Sequence, residues 1–334
     1  MSRKINAAII GTGIGLKHLE SIEGYRNSLV KIICEKDKKK IKFLKKKFPK
    51  KLITNNLEAI FKDKTINLIT IASYDDTHYQ YIMKCIRHNK NIIVEKPMCL
   101  SLGQLKKINA SLKKNRKVKI TSNLVLRVND LFLKIKKSLN TNKIFYIEAD
   151  YLWGRKHKLS GWRSSIKNYS ITLGAAIHMI DLVMWLLQMR PRSVKAYASK
   201  KDTKNTTFKN NSFIIYILEF PGNIIVKISA NLSGSFNHFH ELKIFQKDKT
   251  FYHSIAGTYT FETNKKNLKK KIFLSKYPDK NNRKFLTRNF IDNLLGKSKI
   301  ETISFKEQID LMTVCFYADK SIKSKQKIKI NYLK

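Results

Sequence analysis

The sequence predicts an α/β domain built on a parallel sheet, followed by an α+β domain with a large, mostly antiparallel open sheet. Three observations carry this expectation. Up to about residue 123, short β-rich runs alternate with amphipathic helical runs, the pattern of a parallel sheet covered on both faces. A glycine-rich turn joins the first strand to the first helix. Beyond that point the strand-like runs lengthen, and one strongly apolar helix interrupts them. The domains are therefore placed at 1–123 and 124–334, with the C-terminal helices allowed to return onto the first domain. A chain of 334 residues, 43% of them hydrophobic, has material for two sizeable cores and is not of disordered composition.

The elements run in order. "KINAAII" (4–10) reads as a buried strand, and "GLKHLESIEGY" has helical spacing. "LVKIICE" (29–35) is a second strand, and "KDKKKIKFLKKKF" is a basic amphipathic helix. "INLITIAS" (66–73), "NIIVEKP" (91–97) and "KVKITSN" are further strands, separated by the helices "THYQYIMKCIRHN" and "LGQLKKINASLKKN". In the second half, "KIFYIEADYLW", "SVKAYASK", "SFIIYILEF", "NIIVKISANL", "HELKIFQKD" and "TFYHSIAG" read as strands around the helix "AAIHMIDLVMWLLQ" (175–188). The tail, from "FLTRNFIDNLL" to "LMTVCFYADKSI", returns to helix. No internal repeat or low-complexity linker is present.

Charge and cysteine content narrow the setting. The formal net charge is +44, yet 57 of the 68 basic residues are lysine, and isoleucine and asparagine are abundant too. That is the default output of AT-rich codons. The lysines are scattered over helix faces and loops, and the arginine forks that suit phosphates and bases are few. The charge therefore argues for non-specific association and not for a dedicated nucleic-acid partner. No apolar run is long enough to span a bilayer. The N-terminal apolar run passes straight into glycines, so it reads as a first strand and not as a signal peptide. Cys34, Cys85, Cys99 and Cys315 form no CxxC pair, and three of them sit in apolar runs, as expected of buried free thiols in a reducing cytoplasm.

The glycine turn is "IIGTGIGLKH". Its place after a strand and before a helix makes it a phosphate-binding candidate, because helix N-terminal amides then point at an anion. Gly11 permits the tight turn, and Gly13 lets backbone approach a pyrophosphate. The usual third glycine falls at Leu16; Gly15 comes one residue early, so the loop looks one residue short. Glu35, 24 residues after Gly11, ends the second strand, where a carboxylate accepts both ribose hydroxyls of NAD. This is the signature of a dinucleotide-binding Rossmann domain. A glutamate there repels a 2′-phosphate, but Lys36 and the lysines of 38–40 offset that repulsion. NAD is expected, and NADP is not excluded.

The strand ending in Glu95-Lys96-Pro97 delivers an acid and a base to the carboxyl edge of the sheet, where ligands bind in open α/β folds. Together with His18 after the glycine turn, "IASYDDTHYQYIMKCIRHNKNIIVEKP", "NLVLRVNDLFLKIKKSL" and "GWRSSIKNYSITLGAAIHMIDLVMWLL", the chain resembles the Gfo/Idh/MocA oxidoreductases along essentially its whole length. The resemblance implies that Lys96 sits beside the nicotinamide and the reacting hydroxyl, with a cis Lys96–Pro97 bond. It also implies that His178, in the H-x-x-D helix, handles the hydroxyl proton. The cofactor is expected against Gly11, Thr12, Gly13, Ile14, Gly15, Glu35, Ser73, His78, Glu95 and Lys96, with His78 shaping its loop. The implied substrate is a small polyol, sugar, nucleotide sugar or cyclitol, and the implied assembly a homodimer or homotetramer.

One departure stands out. Family members often carry an aspartate four residues before the histidine, and this chain has Gly174 there. Asp181 lies nearby on the helix surface, and whether it substitutes is open. Arg127, Trp162 and Arg163 are candidates for gripping a polyol or an acidic substituent, or equally for packing and salt-bridging. His238 and His240 alternate on a strand without a third ligand at suitable spacing, so no metal is expected and both are placed on the surface or a sheet face. Gly174 and the short loop also keep open a second reading, a non-catalytic dinucleotide-binding regulator or partner subunit of the same fold.

Overall fold

The computed structural model describes residues 4–166, 169–264, 267–273, 277–278, 281–298 and 301–333. The chain divides into two compact units, Met1–Val128 with Lys280–Ile309, and Asn129–Asp279 with Asp310–Lys334. The boundary expected after residue 123 thus falls after Val128, and a later segment returns to the first unit.

In the first unit, β1 (Ile5–Ile10), β2 (Ser28–Cys34), β3 (Leu52–Thr54), β4 (Leu68–Ile71), β5 (Asn91–Val94) and β6 (Ile120–Ser122) form one parallel sheet in the order β3-β2-β1-β4-β5-β6. Helices α1 (Gly15–Glu23), α2 (Lys38–Lys47), α3 (Glu58–Phe61), α4 (His78–Arg87) and α5 (Leu102–Lys114) connect the strands. The strand order reverses between β1 and β4, so their carboxyl ends open a crevice suited to a ligand. The short β3 and α3 escaped the sequence reading because three or four residues show no period. β1 is buried almost throughout, as a central parallel strand covered on both faces must be. α2 buries only Leu44 and is capped at its start by Asp37, which accepts from the Lys39 and Lys40 amides at 2.8 and 3.2 Å.

Helices α6 (Asp130–Ser138) and α7 (Ile177–Leu187) belong to the second unit, and the chain then returns to the first with α8 (Asn282–Leu294). Ile291 of α8 is fully buried in the cluster of Ile5, Ile9, Leu19, Ile22 and Ile33, and Asp292 accepts from the Tyr25 hydroxyl. Apolar burial of this kind contributes roughly 1.5–3 kcal/mol per large side chain, which accounts for the docking of α8 on the first unit.

In the second unit, β7 (Ile144–Leu152), β8 (Ser193–Ser199), β9 (Phe213–Glu219), β10 (Ile225–Asn231), β11 (Phe239–Gln246), β12 (Lys249–Ser254), β13 (Gly257–Asn264), β14 (Asn267–Ile272) and β15 (Ile328–Lys329) form a sheet in the order β14-β13-β12-β11-β7-β10-β9-β8-β15. Among the described residues of this sheet only β7 and β10 pair in parallel. On β7, Ile147, Ala149 and Tyr151 alternate toward the buried face, with Glu148 and Asp150 on the other. α7 is apolar nearly all round and buried nearly all round, and α9 (Phe305–Ser324) completes the helices. All four cysteines are free and buried. Among the described residues no helix is long and apolar enough to cross a membrane.

Candidate active site

The first half of the site is the glycine turn. Gly11 has φ +88°, and a Cβ there would stand 2.6 Å from the Ala72 carbonyl oxygen, so only glycine fits. α1 begins at Gly15, whose added Cβ would meet Ile9 Cγ2 at 2.9 Å. Gly15 therefore takes the part of the glycine that lets helix and strand close up, and the loop that looked short is complete. The space over Gly13 is open, and Ile14 caps α1 with 38% of its surface exposed. This is a cradle for a phosphate at a helix N-terminus.

Glu35 lies just past β2 and folds back onto that turn. Its carboxylate accepts from the Thr12 amide at 3.2 Å and from the Thr12 hydroxyl, and its other oxygen takes the amides of Lys36 (2.8 Å) and Asp37 (3.2 Å). Burial works to raise its pKa, but the hydrogen bonds from Thr12, Asp37 and Lys36, with the charge of Lys40, hold it below the usual carboxylate range. An ionised carboxylate at the end of the second strand fits a ribose with free hydroxyls.

The Glu95-Lys96-Pro97 turn lies beyond the end of β5, and its Lys96–Pro97 bond is cis. Glu95 Oε1 stands 2.8 Å from His18 Nε2 and accepts from Asn123 Nδ2 at 2.6 Å. Burial alone would raise the Glu95 pKa. The hydrogen bond and charge of His18, with the charges of Arg283 and Lys96, outweigh it and hold the pKa at about 2. Glu95 is therefore a fixed anion that ties α1 to the ends of β5 and β6. His78 is fully buried and clamps the same turn, its Nδ1 2.7 Å from the Pro97 carbonyl and its Nε2 3.1 Å from the Ser73 carbonyl. Ser73 in turn shares a 2.6 Å hydrogen bond with Thr77. Asn123 and Arg283 were not expected from the sequence. A polar residue ending the strand next to β5 is the signal for Asn123, since the parallel register pairs Val94 with Ser122. Arg283 carries no such signal, because it comes from α8.

Arg127 belongs to the first unit and not to the second. It is 3% exposed and donates to Glu307 at 2.5 Å.

In the second unit, half-buried His178 stands near the start of α7 and lies parallel to the Tyr151 ring, centroids 5.9 Å apart. Tyr151 also meets His238 and His240 edge to face at 5.4 and 4.9 Å, and His240 is 6.2 Å from His178. The pair of histidines expected on a surface or sheet face thus includes a buried member, His240, beside His178. Burial, then the charges of His238, His253 and Arg155, push the His240 pKa well below its ordinary value. Among the described residues no group of three or more His, Cys, Asp or Glu side chains could hold a metal. Asp181 is buried, and its charge bears on the Cys315 thiol of α9.

The turn before α7, Thr172–Ala176, is a π-helix, a feature common at functional sites. A Cβ on Gly174 would lie 2.0 Å from the Tyr169 hydroxyl oxygen and 2.7 Å from its Cζ. The phenol of Tyr169 fills the place where a longer side chain at 174 would begin. Trp162 meets Tyr169 edge to face at 6.2 Å, and Arg163 Nε donates to the Tyr169 hydroxyl at 3.3 Å. Installing the aspartate therefore displaces the phenol. Gly174→Asp should lower stability by about 1–3 kcal/mol through overpacking. Adding Tyr169→Ala should relieve most of that loss, a coupling that thermal melts of both variants against wild type will show.

Residues 5–123 match the family described as "Oxidoreductase family, NAD-binding Rossmann fold", and residues 137–251 match the GFO/IDH/MocA C-terminal domain. The chain belongs to the Gfo/Idh/MocA family. Residues 5–123 are accordingly an NAD-binding Rossmann domain. This Gfo/Idh/MocA chain is 20% identical over 182 residues to inositol 2-dehydrogenase 2 of Saccharopolyspora erythraea, covering 54% of the chain and 52% of that protein. It thus spans about half the length of that curated relative. The fold extends over whole chains. A solved scyllo-inositol dehydrogenase of Lactobacillus casei, with bound NAD(H) and scyllo-inositol, covers 98% of this chain and 99% of its own at TM-score 0.81 and 13% identity. An oxidoreductase of Agrobacterium radiobacter, solved with NAD+, L-tartaric acid and magnesium, covers 98% of each chain at TM-score 0.83 and 14% identity.

Proposed function

We propose that this Gfo/Idh/MocA protein is an NAD-dependent dehydrogenase or reductase acting on a secondary hydroxyl or ketone of a sugar, nucleotide sugar or cyclitol. The observation that carries the reading is Lys96 at the carboxyl edge of the parallel sheet, between a fixed carboxylate and a clamped proline. NAD, when bound, supplies the hydride acceptor or donor. The open space over Gly13 and the α1 N-terminus would hold its pyrophosphate, and Glu35 its ribose. Lys96 donates to the reacting oxygen and stabilises alkoxide character there. His178 takes or gives the hydroxyl proton. Turnover across a panel of inositols, sugars and nucleotide sugars, with each dinucleotide, tests the reading. Dinucleotide binding with no turnover of any member would favour the regulator, the reading that Gly174 keeps open.

The Glu35 carboxylate also sets an expected cofactor preference. NADH should bind at least ten times more tightly than NADPH at equal ionic strength, because a carboxylate held ionised repels a 2′-phosphate. Fluorescence titration with both dinucleotides decides it; tighter NADPH binding would mean that the lysines after Glu35 govern the site.

A further inference from the structure

The thirty residues from Tyr151 to Ile180 contain no aspartate or glutamate, yet they contain Arg155, Lys156, Lys158, Arg163 and Lys167. Lysine is this chain's default cation, so arginine at two of these positions is informative. The guanidinium is a planar fork matched to carboxylate and phosphate oxygens.

The structure holds that fork in place. Arg163 is half-buried, its guanidinium carbon 4.3 Å from the Trp162 ring centre and 5.3 Å from that of Trp153. Its Nε is engaged by Tyr169 at 3.3 Å. Among the described residues no carboxylate pairs with Arg163 or Arg155. Gly154, at φ +58°, brings the Arg155 loop against the backbone of Phe236 to His238, where an added Cβ would stand 1.9 Å from the Phe236 carbonyl oxygen. The Lys158 ammonium is held below its ordinary pKa by burial and then by the charges of Arg155 and Arg163. Those two charges also bear on Tyr151, the ring stacked on His178. Asp202 feels the charge of Lys156, but like charges held near Arg163 and Arg155, which no described carboxylate pairs, are unfavourable. Gly174 adds to this: an aspartate there would bring a competing carboxylate to the ring that holds Arg163, and the chain puts a phenol in that place instead.

We propose that the substrate carries an oxyanion, a carboxylate or a phosphate, and that Arg163 receives that group. The inference rests on the dehydrogenase reading for the chemical step, but binding can be measured separately from that step.

The test titrates the full chain with glucose, glucuronate and glucose 6-phosphate at matched ionic strength, in the presence of NADH, using tryptophan fluorescence as the signal. The same three compounds are then assayed for NAD reduction. At least one anion should bind ten times or more tighter than glucose, and the arm that does so tells carboxylate from phosphate. Arg163→Gln should cut that preference by roughly 10- to 100-fold, the scale of losing charge-assisted hydrogen bonds. Arg163→Lys, which keeps the charge without the fork, should fall between the two, and matched melting curves confirm that both variants fold. Glucose binding as tightly as both anions, no binding of either anion, or an anion preference unmoved by Arg163→Gln would each overturn the inference. Anion binding that depends on Arg163, with no turnover of these compounds or of any member of the wider panel in either direction, would count against the dehydrogenase reading and leave this one standing.

Discussion

Lys96→Met should lower turnover by roughly 10²–10³, or about 2.7–4 kcal/mol of transition-state stabilisation, the scale of losing one preorganised donor at a site of developing charge. Methionine keeps a stem of similar length and removes the charge and all three N–H donors. The surrounding anchors do not depend on the lysine: Glu95 is held by His18 and Asn123, and Pro97 by His78. NADH should therefore still bind with little change, because Gly11, Thr12 and Glu35 are untouched. The loss should appear in kcat more than in KM, since the interaction strengthens only as negative charge develops on oxygen. Steady-state kinetics beside an NADH titration separate these outcomes. Unchanged turnover would make the charged end of "IIVEKP" a structural ion pair.

His178→Asn should cost roughly 10²–10⁴ at neutral pH, the usual range for losing a positioned acid or base. Asparagine keeps polarity but cannot exchange the proton. The penalty should shrink as pH rises, because hydroxide or solvent then takes over deprotonation. Two of the other imidazoles, His240 and His253, do not obscure this reading. Burial holds the His240 pKa well below its ordinary value and brings His253 down to about 4, so both stay neutral across the assayed range. A histidine with depressed folded pKa contributes stability above its unfolded value and loses it as pH falls. Any stability change from this pair thus belongs to acid conditions, away from the limb that reports His178. A pH–rate profile of the variant parallel to that of wild type would remove His178 from the proton transfer.

Much of this protein was legible because it is local. The parallel sheet is written in short buried runs separated by helical spacing, and the glycine turn identifies itself by lying between strand and helix. Glu35 and Lys96 are strand-end residues, and in a parallel sheet strand ends gather on one edge whatever the loops do. By the same logic strand alternation put His240 on a surface or sheet face. None of these inferences needs a partner from elsewhere in the chain.

Beyond the reach of the sequence lay the groups that meet across the fold. Glu95 reads as an acid delivered to the cofactor edge of the sheet, but its anchors are His18, Asn123 and, through its charge, Arg283, drawn from α1, the end of β6 and a helix that returns from the far end of the chain. Arg127 reads as a residue for substrate or for a salt bridge alike, and only the fold sets Glu307 against it. Gly174 reads as a missing carboxylate until the Tyr169 phenol is found in its place. The physical reason is common to all three. Backbone preference and hydrophobic period act within a few residues, whereas the pairing of a buried charge or the filling of a side-chain-sized space is settled by whichever distant group packing brings within hydrogen-bonding or van der Waals distance.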